Sequence, residues 1–444
     1  MTPSLHDDAR ALVAAGRFDP ALRLLTDQPD DTDTLLIRAA AHIGRRDRTQ
    51  ARACLDMVLS RQPDQPEGLF LLGRLFILKN DAFSAVAAFE RLRTLHPDYP
   101  GLAEALIGAY RRDARYGDAV ALADANSVGA SPVSREVLYE RGMSLALMGD
   151  AARALADFDA LLAQDPAHGA AWIASHAPAL ELNGPDDALA RIQRGATCKG
   201  ANGKYWGFLC AYQLLLGRAE DAQKTFAARL DGQPKRRALV DGVQAILPHL
   251  APDFRLFGIS GSVLRWAVGQ AKAQGLVLEF GVRRATSTRH IAAALDKTTP
   301  GQTVHGFDSF EGLPEAWNNE HQGVMTTGLS LPAVPDNVRL YPGWFDDTLP
   351  SFLAENPGPV RLVNVDCDIY SSTRTVLTAL ADRIRPGTVI VFDEYIGNRH
   401  WAEDEYKAFQ EFVAAHDVGY RIIAVSPYTK QAVMRIDRIG QSFS

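Results

Sequence analysis

The chain has 444 residues, of which 47% are hydrophobic and 23% are charged, and its formal net charge is -6 at pH 7. These proportions are typical of soluble globular proteins and exclude intrinsic disorder and collagen-like structure. Because one hydrophobic core rarely organises so many residues, we expect at least two domains. Acidic residues (53) outnumber basic residues (47), which argues against binding to a nucleic-acid backbone.

The N-terminal residues favour a cytoplasmic location. The chain begins MTPSLHDDARALVAAGRF, which lacks the positively charged segment and the apolar run of a secretory signal. No stretch of apolar residues is long enough for a membrane-spanning helix, so we expect no membrane association. The 4 cysteines have no paired spacing, which is consistent with a reducing compartment.

The first half of the chain is a repeat array with a period of about 34 residues. One alanine marks the same position in the second helix of successive units: Ala51, Ala85, Ala119, Ala154, Ala188 and Ala222. Small residues such as Gly73 would let the two helices of a unit approach, and large ones such as Phe76 would fill the space between them. The pattern resembles the tetratricopeptide repeat over about residues 5–237.

That resemblance implies an all-α solenoid, which presents a concave surface to peptides or partner proteins and carries no chemistry of its own. The repeats are therefore candidates for binding a protein partner. Aromatic residues between the helices are predicted to be packing residues rather than ligands: Phe89, Phe158, Trp172 and Trp206.

After about residue 240 the pattern changes to short apolar runs separated by helical stretches, which is typical of parallel strands buried on both faces. The predicted strands are 276–280, 303–307, 338–341, 360–365, 388–392, 421–425 and 432–436, and the helices between them include 287–295, 372–383 and 403–416. We therefore predict a repeat solenoid at 1–237, a helical connector at 238–275 and a Rossmann-like, doubly wound α/β domain at 276–444.

The ends of the first two predicted strands indicate a nucleoside site. Gly281 follows the first strand, but the remaining glycines of G-x-G-x-x-G are missing, which argues against a nicotinamide oxidoreductase. Glu279 would repel a pyrophosphate and would suit a sulfonium group. Asp308, at the tip of the second strand, could accept hydrogen bonds from both ribose hydroxyls. This layout favours S-adenosylmethionine.

Two further strand ends carry four carboxylates: Asp366, Asp368, Asp393 and Glu394. If these strands are neighbours, the acids converge on a small volume and must share protons or bind a cation. Oxygen ligands suit Mg²⁺, Ca²⁺ or Mn²⁺ better than zinc. In the alternative interpretation, Asp366 or Asp368 caps the helix that begins near Ser372.

Several segments together resemble the macrocin O-methyltransferase family, over about residues 255–437: LEFGVRRATSTRHIA, VHGFDSFEGLPEAW, LYPGWFDDTLP, VNVDCDIYSSTRTVLTAL and GTVIVFDEY. The resemblance implies a class I methyltransferase that uses S-adenosylmethionine and acts on sugar hydroxyls. It implies a cofactor pocket at Glu279, Gly281, Asp308 and Ser309, and a divalent metal such as Mg²⁺ at Asp366, Asp393 and Glu394.

The same resemblance makes Asp368 the expected general base, and His400, in the following loop, is a second candidate. The expected reaction is an in-line methyl transfer, in which a metal would lower the pKa of the attacking hydroxyl. Two residues depart from the family pattern. Ala285 replaces a glycine, and Glu394 replaces the second aspartate of the metal pair.

Two alternatives stay open. The repeats could recruit a protein or glycoprotein as the methyl acceptor, or the chain could be a repeat scaffold whose catalytic domain is inactive, for which Ala285 is the hint. The resemblance also indicates a homo-oligomer.

Overall fold

The computed structural model describes residues 4–129, 132–317 and 321–440. They form two compact units, one extending to Glu140 and one beginning at Arg141. The helices that precede this division are α1 (Leu5–Ala14), α2 (Phe18–Leu24), α3 (Thr32–Gly44), α4 (Arg48–Arg61), α5 (Pro66–Leu78), α6 (Ala82–Leu95), α7 (Leu102–Arg112) and α8 (Tyr116–Ser127). Helix α9 (Arg135–Leu147) contains the division.

The second unit continues with the repeat helices α10 (Ala151–Gln164), α11 (Gly169–Asn183), α12 (Pro185–Thr197), α13 (Tyr205–Leu215), α14 (Ala219–Arg229) and α15 (Pro234–Ile246). A short 3-10 helix, Leu247–His249, follows. The remaining helices lie between strands: α16 (Ser260–Gln270), α17 (Thr286–Thr298), α18 (Phe345–Glu355), α19 (Tyr370–Leu380) and α20 (Glu405–Ala415).

The strands are β1 (Leu250–Leu256), β2 (Leu276–Phe280), β3 (Val304–Asp308), β4 (Val338–Pro342), β5 (Val360–Val365), β6 (Val389–Phe392), β7 (Gly419–Ser426) and β8 (Gln431–Arg438). They form one sheet in the order β1-β7-β8-β6-β5-β2-β3-β4. Strand β8 is antiparallel to β6 and β7, and the other pairs are parallel. The predicted class, a helical repeat region followed by a doubly wound α/β region, is confirmed.

In both units the repeat helices pack through the predicted small and large residues. A side chain at Gly73 would overlap the ring of Phe89, which is 1% exposed, and Gly142 faces Phe158 in the same way. The prediction that these two phenylalanines are packing residues is confirmed. Trp172 and Trp206 are partly buried, and their rings face arginines of the repeats, such as Arg229 at 4.6 Å from the centre of the Trp206 ring.

The predicted helical connector is wrong in one part, because β1 lies within it and pairs in parallel with β7. This strand has the sequence LAPDFRL, and only Ala251 in it is buried. An edge strand with a proline and exposed charged residues lacks the apolar run by which the other strands were recognised. The predicted connector helix is present as α16.

The change from repeats to strands near residue 240 does not separate two compact bodies. One hydrophobic core contains Leu215, Val243 and Ile246 of the repeat helices together with Phe280 and Phe392 of the sheet. The repeat helices of the second unit and the sheet therefore bury their apolar surfaces in a shared core. Among the described residues, no helix has both the length and the apolar character to span a bilayer.

Candidate active site

The site lies at the carboxyl ends of four adjacent strands, β6, β5, β2 and β3. The backbone pairing continues one residue beyond the strands, since Asp366 N–H donates to Phe280 O (2.8 Å) and Asp393 N–H donates to Val365 O (3.0 Å). These bonds place Asp366 and Asp393 side by side, as the sequence predicted. In sheets of this kind, ligands bind beyond the carboxyl ends of the strands.

Gly281 is held between strands. Its φ is +96°, and a Cβ atom at this position would overlap the carbonyl oxygen of Asp366. In the structure, the chain segment that comes closest is the backbone of Asp366, so a side chain here would push apart the strands that carry the site.

Glu279 is fully buried behind this turn. Its Oε1 accepts a hydrogen bond from Asn364 Nδ2 (3.0 Å), and the hydroxyl groups of Ser287 and Thr288 lie near its carboxylate, whereas Oε2 makes no direct hydrogen bond among the described residues. Burial raises the pKa of this carboxyl group. A buried carboxylate oxygen without a partner is costly, and a ligand that donates a hydrogen bond would compensate for it.

Asp308 binds the backbone of the two turns at the predicted cofactor pocket. Its Oδ2 accepts hydrogen bonds from Val282 N–H (2.8 Å) and Arg283 N–H (2.7 Å), and Oδ1 accepts one from Phe310 N–H (2.6 Å). The neighbouring Ser309 donates to Gly312 O (3.3 Å) and accepts from Glu311 N–H. Asp308 remains partly exposed, and Oδ1 can accept a further bond.

Ala285 is buried at the N-cap of α17, with a φ of 59°. Glycine adopts this left-handed conformation without strain, whereas for alanine the conformation costs about 1 kcal/mol of stability. The conformation explains why glycine suits the position. The small cost shows that alanine is tolerated there.

Six carboxylates crowd this end of the sheet: Glu279, Asp366, Asp368, Asp393, Glu394 and Glu405. Burial and the charges of Glu394 and Asp393 raise the pKa of Asp368 to about 8. Burial and Glu394 raise the pKa of Asp393 to about 7. Burial, Asp393 and Asp368 hold the pKa of Asp366 well above its ordinary value. Several of these groups therefore share protons near neutral pH.

Asp368 lies in a tight three-residue turn. Its φ is 64°, Ile369 N–H donates to Cys367 O (2.7 Å), and the residue is 7% exposed. The following helix, α19, has Ile369 as its N-cap, without a hydrogen bond from a capping side chain. The alternative that Asp366 or Asp368 caps this helix is therefore wrong. A non-glycine residue in such a turn costs about 1–3 kcal/mol, and this kind of strain is typical of functional sites.

Lys430, in the turn between β7 and β8, contacts the cluster. Its Nζ donates to both carboxylate oxygens of Glu394 (3.0 and 2.9 Å) and to Asn398 Oδ1 (2.6 Å). The next residue, Gln431, donates from Nε2 to Asp393 Oδ1 (2.6 Å) and to Ser260 Oγ (2.9 Å).

Comparison with known proteins identifies the region that contains this cluster. Residues 278–395 match a family described as a methyltransferase domain, and residues 67–99 and 136–168 match the tetratricopeptide repeat. The chain carries tetratricopeptide repeats followed by a methyltransferase domain. The matched domain includes Glu279, Asp308, Asp368 and Glu394.

Several relatives resemble the methyltransferase domain. The chain is 31% identical over 157 residues to 8-demethyl-8-(2,3-dimethoxy-alpha-L-rhamnosyl)-tetracenomycin-C 4'-O-methyltransferase of Streptomyces olivaceus, which covers 30% of this chain and 58% of the relative. It is 32% identical over 145 residues to mycinamicin III 3''-O-methyltransferase of Micromonospora griseorubida, which covers 27% of this chain and 55% of the relative. The chain thus spans about half the length of each relative.

The metal ligands predicted in the methyltransferase domain do not fit a divalent ion as they are arranged. Both oxygens of Glu394 face Lys430, and Asp393 Oδ1 faces Gln431. Within residues 4–129, 132–317 and 321–440, no group of three His, Cys, Asp or Glu side chains could hold a metal ion. Asp366 and Asp393 are adjacent, but the third ligand is engaged by an ammonium group.

His400 lies in the loop between β6 and α20. Its Nδ1 is 3.8 Å from Glu403 Oε2, and its side chain is 42% exposed. Its role as a second base stays a prediction.

Sequence reasoning missed three residues of the site: Glu405, Lys430 and Gln431. Glu405 is fully buried, its Oε2 accepts from Glu394 N–H (3.1 Å), and burial raises its pKa well above the ordinary value. Its spacing from the buried Ala408, Phe409 and Phe412 places it on the inner face of α20, a signal that was available. Lys430 and Gln431 lie far along the chain from the carboxylates and carry no such signal.

Proposed function

We propose that this chain transfers a methyl group from S-adenosylmethionine to a hydroxyl oxygen of a sugar-type acceptor. The observation that carries the proposal is Asp368, which is buried after the end of β5 and has a strained backbone. It lies beside the glycine turn that follows β2. The names of the relatives, which are O-methyltransferases, support the same reaction and suggest glycosides of natural products as acceptors.

The cofactor fits the residues at the ends of β2 and β3. Glu279 offers a buried oxygen without a partner, Asp308 offers further acceptor capacity on Oδ1, and the Gly281 turn brings the neighbouring strands together. When bound, S-adenosylmethionine supplies an electrophilic methyl group on a positively charged sulfur. The proposed holding residues are therefore Glu279, Gly281 and Asp308, and Ser309 acts by closing the adjacent turn.

In the proposed reaction, a carboxylate oxygen of Asp368 removes the proton of the acceptor hydroxyl. A base is most effective when its pKa lies near the working pH, and the pKa of Asp368 is about 8. Burial and neighbouring acids raise this pKa, whereas the positive charges of Lys430 and Arg283 lower it. The neighbouring acidic and basic groups thus set the pKa of one carboxylate, that of Asp368. We assign no step to a metal ion.

For the repeats, we propose that the first unit binds a protein partner or a macromolecular acceptor. Its helices bury their apolar residues in cores of their own, around Leu106 and Leu35, and solenoids of this kind bind partners on an extended concave surface. Deleting residues 1–131 should then leave transfer to free glycosides unchanged while reducing transfer to a macromolecular acceptor. Cytoplasmic location and homo-oligomerisation stay predictions.

The reaction can be tested by incubating the protein with S-adenosylmethionine and a panel of deoxysugar glycosides, and by following methylated product and S-adenosylhomocysteine by mass spectrometry. Asp368→Asn should lower kcat by about 10²- to 10⁴-fold and leave the affinity for S-adenosylhomocysteine unchanged. Asp253→Asn, at an exposed position of β1, is the control and should behave as wild type. Full activity in Asp368→Asn would refute the assignment of the base.

A further inference from the structure

Lys430 brings an ammonium group into direct contact with the acidic residues at the carboxyl end of the sheet. Lys430 Nζ makes three charge-assisted or polar contacts, two with Glu394 and one with Asn398, at 2.6–3.0 Å. The lysine side chain is 32% exposed and that of Glu394 is 17% exposed, so the pair is screened less than a surface ion pair. Such bonds between ionised groups are stronger than neutral hydrogen bonds.

The backbone of Lys430 and the side chain of Gln431 are bonded to the segment that carries Asp393 and Glu394. Lys430 has a φ of 63°, and its carbonyl oxygen accepts from Ile396 N–H (3.2 Å). Lys430 and Gln431 bond with the consecutive residues Glu394 and Asp393. Lys430 and Gln431, at the junction of the turn and β8, therefore bind the two consecutive acids Glu394 and Asp393. These bonds restrict the movement of the ammonium group.

The repeat helices hold this turn in place. The ring of Tyr428 packs edge-on against the ring of His176, which is fully buried in α11 (4.8 Å between ring centres), and lies 5.9 Å from the ring of Phe208 in α13. His176 Nε2 is 3.1 Å from the hydroxyl of Tyr212, also in α13. The position of Lys430 is thus set by the repeats of the second unit as well as by the methyltransferase domain.

We propose that Lys430 Nζ occupies the place of a divalent cation in this site, so that the site is built around an ammonium group. Magnesium or calcium requires several oxygen ligands at about 2.0–2.6 Å. Such an ion could use Glu394 only after displacing Lys430 from three contacts. In the proposed arrangement, Lys430 fixes the carboxylate of Glu394 and the amide of Asn398 in place, a positioning role that does not require contact with the transferred methyl group.

The proposal concerns the site of the proposed function, but it can be tested without any methyl transfer. Mn²⁺ is titrated into the full-length protein, and the free ion is measured by electron paramagnetic resonance. Wild type should show no site with a Kd below about 1 mM, whereas Lys430→Ala should bind Mn²⁺ at least about 10-fold more tightly, because it exposes Glu394 to a cation. Asp393→Asn in the Lys430→Ala background should abolish the new site.

Two further variants make the test specific. Lys430→Arg keeps the charge and should behave as wild type, and Lys407→Ala removes a half-exposed lysine paired with Glu411 as a control for lost positive charge. Lys430→Gln, which is neutral but keeps hydrogen-bond donors, replaces Lys430→Ala if that variant does not fold. Equal Mn²⁺ affinity in wild type and in the neutral variants, at any strength, would overturn the proposal. Binding of S-adenosylhomocysteine, measured on the same samples, reports separately on the proposed function.

Discussion

The repeats before and after residue 140 follow one sequence pattern but bury different surfaces. In the first unit, Phe89, Leu106 and Ile107 belong to a core that contains only repeat helices. In the second unit, Val243 and Ile246 belong to the core of the sheet. Pairing of helices inside a repeat therefore depends on the shared small and large residues, whereas attachment to the sheet depends on apolar residues of α13–α15.

This difference predicts that the first unit can be perturbed without affecting the site, whereas the second cannot. The largest expected effect is on cofactor binding. Gly281→Ala introduces a Cβ that overlaps Asp366 O at a left-handed φ, and it should abolish measurable binding of S-adenosylhomocysteine by calorimetry. Gly16→Ala has a similar φ of +71° with open space around it, so it should cost about 1–2 kcal/mol in the first unit and leave binding intact.

A matched pair of core isoleucines should separate the stabilities of the two units. Ile107→Ala and Ile246→Ala each remove a buried side chain and should each cost about 2–5 kcal/mol. Scanning calorimetry should show that Ile107→Ala lowers only the transition of the first unit. Ile246→Ala should lower the transition of the second unit and weaken binding of S-adenosylhomocysteine. One common transition that responds equally to both substitutions would contradict the division.

A smaller effect is expected where α15 meets the loop after β6. A Cβ at Gly242 would lie 3.0 Å from Ile396 Cβ and 3.2 Å from Gly397 N, close to the segment that carries Glu394. Gly242→Val should therefore cost about 1–3 kcal/mol and lower kcat more than it changes KM. Gly117→Val, at an exposed position of α8 with nothing within 4 Å, should change stability by less than about 0.5 kcal/mol and leave kcat unchanged.

The two units should also differ in how their stability responds to pH. Because the pKa of Asp368 is raised to about 8, its contribution to stability is present at low pH and is lost as the pH rises through 8. Lowering the pH from about 8 to 7 should add about 1 kcal/mol from Asp368 to the stability of the second unit, and Asp368→Asn should reduce the total gain by about that amount.

In the first unit, Thr34 N–H holds the pKa of Asp31 below its ordinary value, so that contribution is lost only in acid. The transition of the first unit should therefore stay constant between pH 8 and 7. A parallel shift of both calorimetric transitions in this range would be evidence against the assignment to Asp368.

Periodic features were predictable from the sequence, and long-range pairings were not. The alanine spacing and the apolar runs predicted the repeat helices and seven of the strands, because these elements repeat a local pattern. Strand β1 was missed because an edge strand with a proline and exposed charges has no such pattern. The acids at the ends of β5 and β6 could be placed together because parallel strands end at the same edge of a sheet.

The roles of those acids depended on residues distant in the sequence. Lys430 reaches Glu394 through a turn held by His176, and no local spacing connects these three residues. The sequence therefore predicted a cluster of negative charge correctly but could not predict which positive group balances it. The same limit applies to Gly281, whose closest neighbour is the backbone of Asp366, a residue distant in the sequence.

The most direct test of the account is calorimetric titration of S-adenosylhomocysteine into three chains: the full-length protein, a chain that begins at residue 132, and a chain that begins at residue 238. The first two should bind with the same affinity, because they contain the whole second unit. The third keeps most of α15 but lacks α13 and α14, which contribute to the shared core, and α11, which with α13 holds the Lys430 turn, so it should not bind. Equal binding by the chain that begins at residue 238, or no binding by the full-length protein, would contradict the account.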